Sequence, residues 1–193
     1  MRALADALGI LRFLAAACIP WAFDRGGRLP LVLVALAAAT DFCDGIAARR
    51  AGPTAYGAVL DNAADIAVVL AATGSAAAVG LVPPVAPLAI ALAFAAYAVA
   101  SARRAAPGPA RSRLGHAAGV ANYGLALLAA AALTRPALVD GGTVRVAALV
   151  VAAMNLAAVV DRAVPRGRIS RSPARARATP DGGTPARSAR SSS

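Results

Sequence analysis

The chain has 193 residues, of which 59% are hydrophobic and 4% aromatic, and it carries a formal net charge of +11. Several apolar stretches reach the roughly 20 residues a bilayer span requires, which excludes an ordinary soluble domain, and their Ala, Leu and Val content favours helices over the short alternating strands of a membrane barrel. The positive charge comes from arginines gathered in loops and in the C-terminal segment, away from any aromatic-bearing surface, so it points to membrane topology and not to nucleic acid.

Apolar runs between Gly, Pro and Arg breaks predict helices over 5–23, 29–50, 56–81, 84–104, 114–134 and 143–163. The expected fold is therefore an all-α integral membrane protein, a bundle of six transmembrane helices spanning 1–163. The first run resembles a signal peptide in length, but Arg12 interrupts it and no clean small-residue cleavage site follows. A guanidinium inside that run is costly unless it snorkels to the headgroups or meets a phosphate or the aspartates of the next helices. Cys18 and Cys43 lack Cys-x-x-Cys spacing and are expected to be buried, inert thiols.

The second and third runs hold the chemistry. Asp41, Asp44, Asp61 and Asp65 lie in apolar surroundings, where burying one carboxylate costs on the order of 3 kcal/mol, so such residues are functional candidates. At about 100° per residue, Asp41, Asp44, Gly45 and Ala48 share one helix face, and Gly57, Asp61 and Asp65 stack on one face of the next helix. A short connection from Arg49 to Tyr56 lets the two faces meet. Four convergent carboxylates repel unless cations neutralise them, and hard oxygen donors select Mg²⁺ or Mn²⁺, so a two-metal site follows. Arg49 is placed to hold a phosphate oxygen, while Gly45, Ala48 and Gly57 leave room for a nucleotide to approach the helix backbones.

Later elements offer fewer candidates. The loop carrying Arg103, Arg104, Arg111 and Arg113 precedes His116, and its arginines read as topology signals. Gly115-x-x-x-Gly119 permits close helix packing within the bundle or between protomers of an expected homodimer. Asn122, Tyr123 and Asn155 are expected to form interhelical hydrogen bonds. Residues 164–193 are rich in Arg, Ser and Pro and predict a disordered cytoplasmic tail. Arg2, Arg49, Arg50, the Arg103–Arg113 cluster and the tail all fall on one side of a six-span chain, which places both termini and the aspartates at the cytoplasmic face of the cell membrane.

The segment resembles the signature of the CDP-alcohol phosphatidyltransferase family, D-x-x-D-G-x-x-A-R-x8-G-x3-D-x3-D, through Asp41, Asp44, Gly45, Ala48, Arg49, Gly57, Asp61 and Asp65. Seven residues, Arg50 to Tyr56, separate Arg49 from Gly57 where the family usually has eight, a change that a surface loop tolerates. The resemblance implies transfer of a phosphatidyl or similar substituted phosphate group from a CDP-linked lipid donor, such as CDP-diacylglycerol, to an alcohol acceptor in phospholipid biosynthesis, with release of CMP. It further implies that Asp41, Asp44 and Asp61 bind the metal pair, that Asp65 completes the site and acts as general base, that Gly45, Ala48, Arg49 and Gly57 line the CDP pocket, and that the basic loop before the fifth helix, through Arg111 and Arg113, is a candidate contact for the acceptor's phosphate. Ile66 stands where several members with phosphorylated acceptors carry a basic residue, which counts against glycerol phosphate and inositol phosphate. The rival expectation, a proton- or cation-coupled transporter, calls for repeated halves and acids spread along a pathway, whereas these acids cluster in one helix pair.

Overall fold

The computed structural model describes residues 2–51, 55–103 and 113–163, with side chains over 7–41, 60–103 and 113–163. It contains six helices: α1 (Arg2–Arg25), α2 (Leu29–Ala51), α3 (Ala55–Ala78), α4 (Val85–Ala102), α5 (Arg113–Thr134) and α6 (Gly141–Ala163). No strand occurs among the described residues. The side chains of Asp44, Gly45, Ala48, Arg49 and Gly57, together with Arg111 and the 164–193 tail, lie outside what is described.

Helix α1 shows how the sequence sorts its faces. Arg12, Ala15, Ala16, Ile19, Ala22 and Phe23 recur every three or four residues and are buried, while Ile10, Leu14 and Trp21 point outward. Cys18 belongs to that outward face and is exposed, which corrects the expectation of a buried thiol; it follows Leu14 by four residues and precedes Trp21 by three. Large outward-facing apolar side chains recur on other helices, among them Val32, Leu88, Leu92, Val146, Leu149 and Val160. An apolar exterior this extensive suits lipid, not water.

Four stretches, Ala7–Arg25, Val85–Ala102, Arg113–Thr134 and Gly141–Ala163, are long and apolar enough to cross a membrane. The six-span expectation holds in full for these four only. Among the described residues α2 offers a shorter apolar stretch, Leu29–Asp41, and α3 carries Asp61, Asn62 and Asp65 near its start. In α3 the polar residues that mark the site lower the apolar character of the described part of the helix.

Helix α1 packs chiefly against α3 and α2, α6 packs against α4 and α5, and α5 touches both α2 and α3. The core between them is built from small and branched residues, including Val34, Val68, Val69, Ala72, Ile90, Leu125, Ala129, Val144 and Ala148. Small side chains let helix backbones approach, the main source of packing energy where lipid removes the hydrophobic drive. Asn122 and Asn155 form a buried amide pair, with Asn155 Nδ2 donating to Asn122 Oδ1 at 2.7 Å and Asn122 Nδ2 donating to Asn155 Oδ1 at 3.4 Å. This bears out the interhelical role expected of both.

Helix ends are set by local chemistry. Helix α3 stops at Ala78, three residues before the predicted end, because Gly80 takes a positive φ of 77° and the N–H groups of Gly80 and Leu81 return to the carbonyls of Ala77 and Ala76. At the start of α6, Asp140 accepts from the backbone N–H of Thr143 at 2.9 Å and from its hydroxyl at 2.5 Å. Both bonds hold the exposed Asp140 carboxyl below the usual carboxylate range.

Candidate active site

The site forms where α1, α2 and α3 meet. Arg12 of α1 is fully buried, and its Nη1 donates to Asp41 Oδ1 of α2 at 3.1 Å and to Asp65 Oδ1 of α3 at 2.5 Å. Its Nη2 donates to Asp61 Oδ1, also of α3, at 3.0 Å. Of the four aspartates expected to converge, Asp41, Asp61 and Asp65 do, and the side chain of Asp44 lies outside the described residues. Of the two roles open to Arg12, the structure realises the one directed at the aspartates: its charged end turns inward, not to the headgroups.

The three carboxylates are not sealed away, with side-chain exposures of 44% for Asp41, 34% for Asp61 and 26% for Asp65 against 0% for Arg12. The guanidinium thus plugs the protein side of the cluster while the carboxylates keep an open side. Opposite unit charges about 4 Å apart attract by roughly 4 kcal/mol at an effective dielectric near 20, so three such contacts offset the burial of one guanidinium. Two formal negative charges still stand uncompensated among the described side chains of the cluster.

That surplus is what a hard divalent cation would neutralise, and oxygen-only donors fit Mg²⁺ or Mn²⁺ by chemistry. Among the described residues, no three Asp, His or Cys side chains stand close enough together to hold a metal ion by themselves. The guanidinium of Arg12 lies between the three aspartates.

A fourth helix reaches the cluster. Tyr123 of α5 donates its hydroxyl to Asp65 Oδ1 at 2.9 Å. The expectation of an interhelical hydrogen bond is met, but its partner is the predicted general base. No local signal in α5 announces this: Tyr123 lies among Ala, Gly and Leu, and only the approach of α5 to α3 gives it a partner.

Asp41 and Asp65 also line a cavity of about 660 Å³ whose walls, Asp41 of α2 apart, come from α3, α4, α5 and α6. Its other walls include Asn62, Phe94, Tyr97, His116, Tyr123 and Arg162, the last with its guanidinium 5.7 Å from the ring centre of Tyr97. Arg162 Nη1 also reaches the carbonyls of Ala93 and Ala158, each at 3.4 Å. Sequence reasoning took Arg162 as a topology signal and did not single out Tyr97 or Asn62. Arg113 is exposed at the start of α5 and does not line this cavity, whereas His116, one turn later, does.

Gly115 and Gly119 border the same cavity. A Cβ on Gly119 would meet nothing within 4 Å, so within the protomer this glycine faces open space and not a closely packed helix. Gly119 thus makes no close helix contact within this chain, and the alternative, a contact between protomers, stays an expectation.

A comparison with curated proteins returns no match. The family model described as CDP-alcohol phosphatidyltransferase matches residues 2–160, which takes in all six helices and both halves of the aspartate motif. The convergence of Asp41, Asp61 and Asp65 beside a partly open cavity agrees with that match, and the chain belongs to the CDP-alcohol phosphatidyltransferase family.

Proposed function

We propose that this protein transfers a phosphatidyl or similar substituted phosphate group from a CDP-linked lipid donor to an alcohol, releasing CMP, with Mg²⁺ or Mn²⁺ held by Asp41, Asp44, Asp61 and Asp65. One observation carries the reading: three carboxylates from two helices meet at one guanidinium, and two of them, Asp41 and Asp65, line a 660 Å³ cavity. Acids gathered in this way favour a transferase over a transporter, whose acids would be spread along a path.

The metals, when bound, would neutralise charge on the phosphates and on the departing nucleotide. The chain's own residues supply the rest. Gly45, Ala48, Arg49 and Gly57 form the proposed CDP pocket beside the aspartates. Asp65 accepts the proton of the attacking hydroxyl; the hydrogen bonds from Arg12 and Tyr123 both fall on its Oδ1, which leaves Oδ2 to meet the acceptor. The cavity is the proposed acceptor site, because Asp65 lines it and its volume suits a small polar alcohol or headgroup. Its polar walls, Asn62, Tyr97, His116 and Arg162, offer donors to such a molecule. Arg111 and Arg113 remain proposed contacts at the cytoplasmic entrance. The aspartates face the cytoplasm in this reading, by the placement of the arginine-rich loops.

Purified protein supplied with CDP-diacylglycerol, Mn²⁺ and a panel of alcohols is expected to release CMP with one of them. EDTA is expected to stop release and added Mn²⁺ to restore it. Asp65→Asn is expected to abolish release; full activity in that variant would remove Asp65 as the base.

A further inference from the structure

Arg12 uses both terminal nitrogens on Oδ1 atoms of Asp41, Asp61 and Asp65, at 2.5–3.1 Å. These belong to the carboxylates that a hard cation would approach to about 2.0–2.1 Å, so an N–H aimed at them competes for the same lone pairs. Guanidinium does not lose its proton in proteins, and therefore it cannot yield the position by becoming neutral. It has to move. A guanidinium displaced inside an apolar bundle is unfavourable unless it meets another anion, and the paired phosphates of a CDP-linked donor match its planar fork.

We propose that Arg12 is a resident cation of the aspartate cluster, exchanged for divalent metal as the nucleotide donor arrives, so that metal and donor bind cooperatively through the displacement of one guanidinium. This rests on the metal and donor assignments proposed above. In the metal-free protein Arg12 holds α1, α2 and α3 together, because it bridges acids that would otherwise repel. With the donor present, its charge transfers from carboxylate to phosphate. Linkage then requires metal to tighten nucleotide binding by the same factor as nucleotide tightens metal binding.

The test is Mn²⁺ binding to the full chain in detergent, read from the electron paramagnetic resonance signal of free Mn²⁺, with and without CDP as the nucleotide probe. In the wild type, saturating CDP is expected to tighten Mn²⁺ binding by about tenfold or more. Arg12→Met is expected to bind Mn²⁺ about tenfold tighter than the wild type without CDP, and to lose most of the coupling. Its melting temperature in EDTA is expected to fall and to be restored by Mn²⁺. Arg12→Lys keeps a cation on α1 without the fork and serves if the Met variant does not fold; it is expected to bind Mn²⁺ about threefold tighter than the wild type, with weakened coupling. Equal or weaker Mn²⁺ binding in the variants, or coupling equal to the wild type, overturns the exchange while leaving the metal site standing. If the wild type and the variants all fail to bind Mn²⁺, the metal assignment falls and the exchange falls with it.

Discussion

The hydroxyl of Tyr123 on α5 donates to Oδ1 of Asp65 on α3 at 2.9 Å, which ties two cavity-lining helices together at one of the acids. A hydrogen bond to a charged group is worth about 1.5–3 kcal/mol, and here it orients the carboxylate proposed to take the acceptor's proton. Tyr123→Phe is expected to lower kcat for CMP release by roughly tenfold or more while leaving Mn²⁺ affinity within about threefold. The kinetic comparison, with one Mn²⁺ titration, checks it.

The cavity itself can be probed at Gly119, where an added Cβ would meet nothing within 4 Å. Gly119→Ala is expected to raise thermal stability slightly, since alanine in a helix interior is favoured over glycine by about 1 kcal/mol. Gly119→Leu pushes a branched side chain into the space and is expected to raise the KM for the alcohol acceptor well above its effect on the CDP-linked donor. Equal effects on both substrates would place the acceptor elsewhere.

The Asn122–Asn155 pair predicts non-additivity. Removing Asn155 strips Asn122 of its amide partner, and removing Asn122 leaves Asn155 only the bond from Nδ2 to the Val151 carbonyl, at a cost of about 1–3 kcal/mol, whereas removing both leaves neither stranded. Asn122→Leu and Asn155→Leu are each expected to lower the melting temperature in detergent, and the double variant is expected to lose less than the two together.

Asp140 predicts a pH effect at the start of α6. Its carboxyl lies below the usual range because Thr143 donates to it from both hydroxyl and backbone. A depressed carboxylate contributes stability that is present above its unfolded value, near 3.9, and is lost as pH falls through the lower folded value. Wild-type protein is therefore expected to lose stability relative to Asp140→Ala only at acid pH, and to exceed it at neutral pH. Gly142→Ala is expected to reproduce part of the defect, because its Cβ would stand 2.8 Å from Asp140 Oδ1. Melting curves across the pH range check both.

Much of the site was legible because its information is local. Asp41, Asp61 and Asp65 were placed on facing surfaces by helical spacing alone, and Arg12 stood out as a charge that an apolar helix must explain. The cavity was not legible. Its walls come from α3, α4, α5 and α6, whose Tyr97, His116, Gly119 and Arg162 have no shared spacing in the chain and meet only through the packing of α6 on α4 and α5. Cys18 misled for a related reason: its neighbours are apolar on every side, and only the bundle decides which of those faces turns outward. Helix positions were read closely, yet α3 ended early because a single glycine with positive φ closes it before the apolar run is over.

The bridge from Arg12 to three acids has a consequence for how the chain enters the bilayer. Helix α1 is synthesised before α2 and α3 and carries the one positive group described among the aspartates. An α2–α3 hairpin arriving beside α1 finds its charge partly neutralised before α4, α5 and α6 exist, whereas the same hairpin without Arg12 would have to pass its acids into hydrocarbon unassisted. The first helix thereby acts as an insertion partner for the next two, and the order of the genetic message matches the order in which the charges need one another.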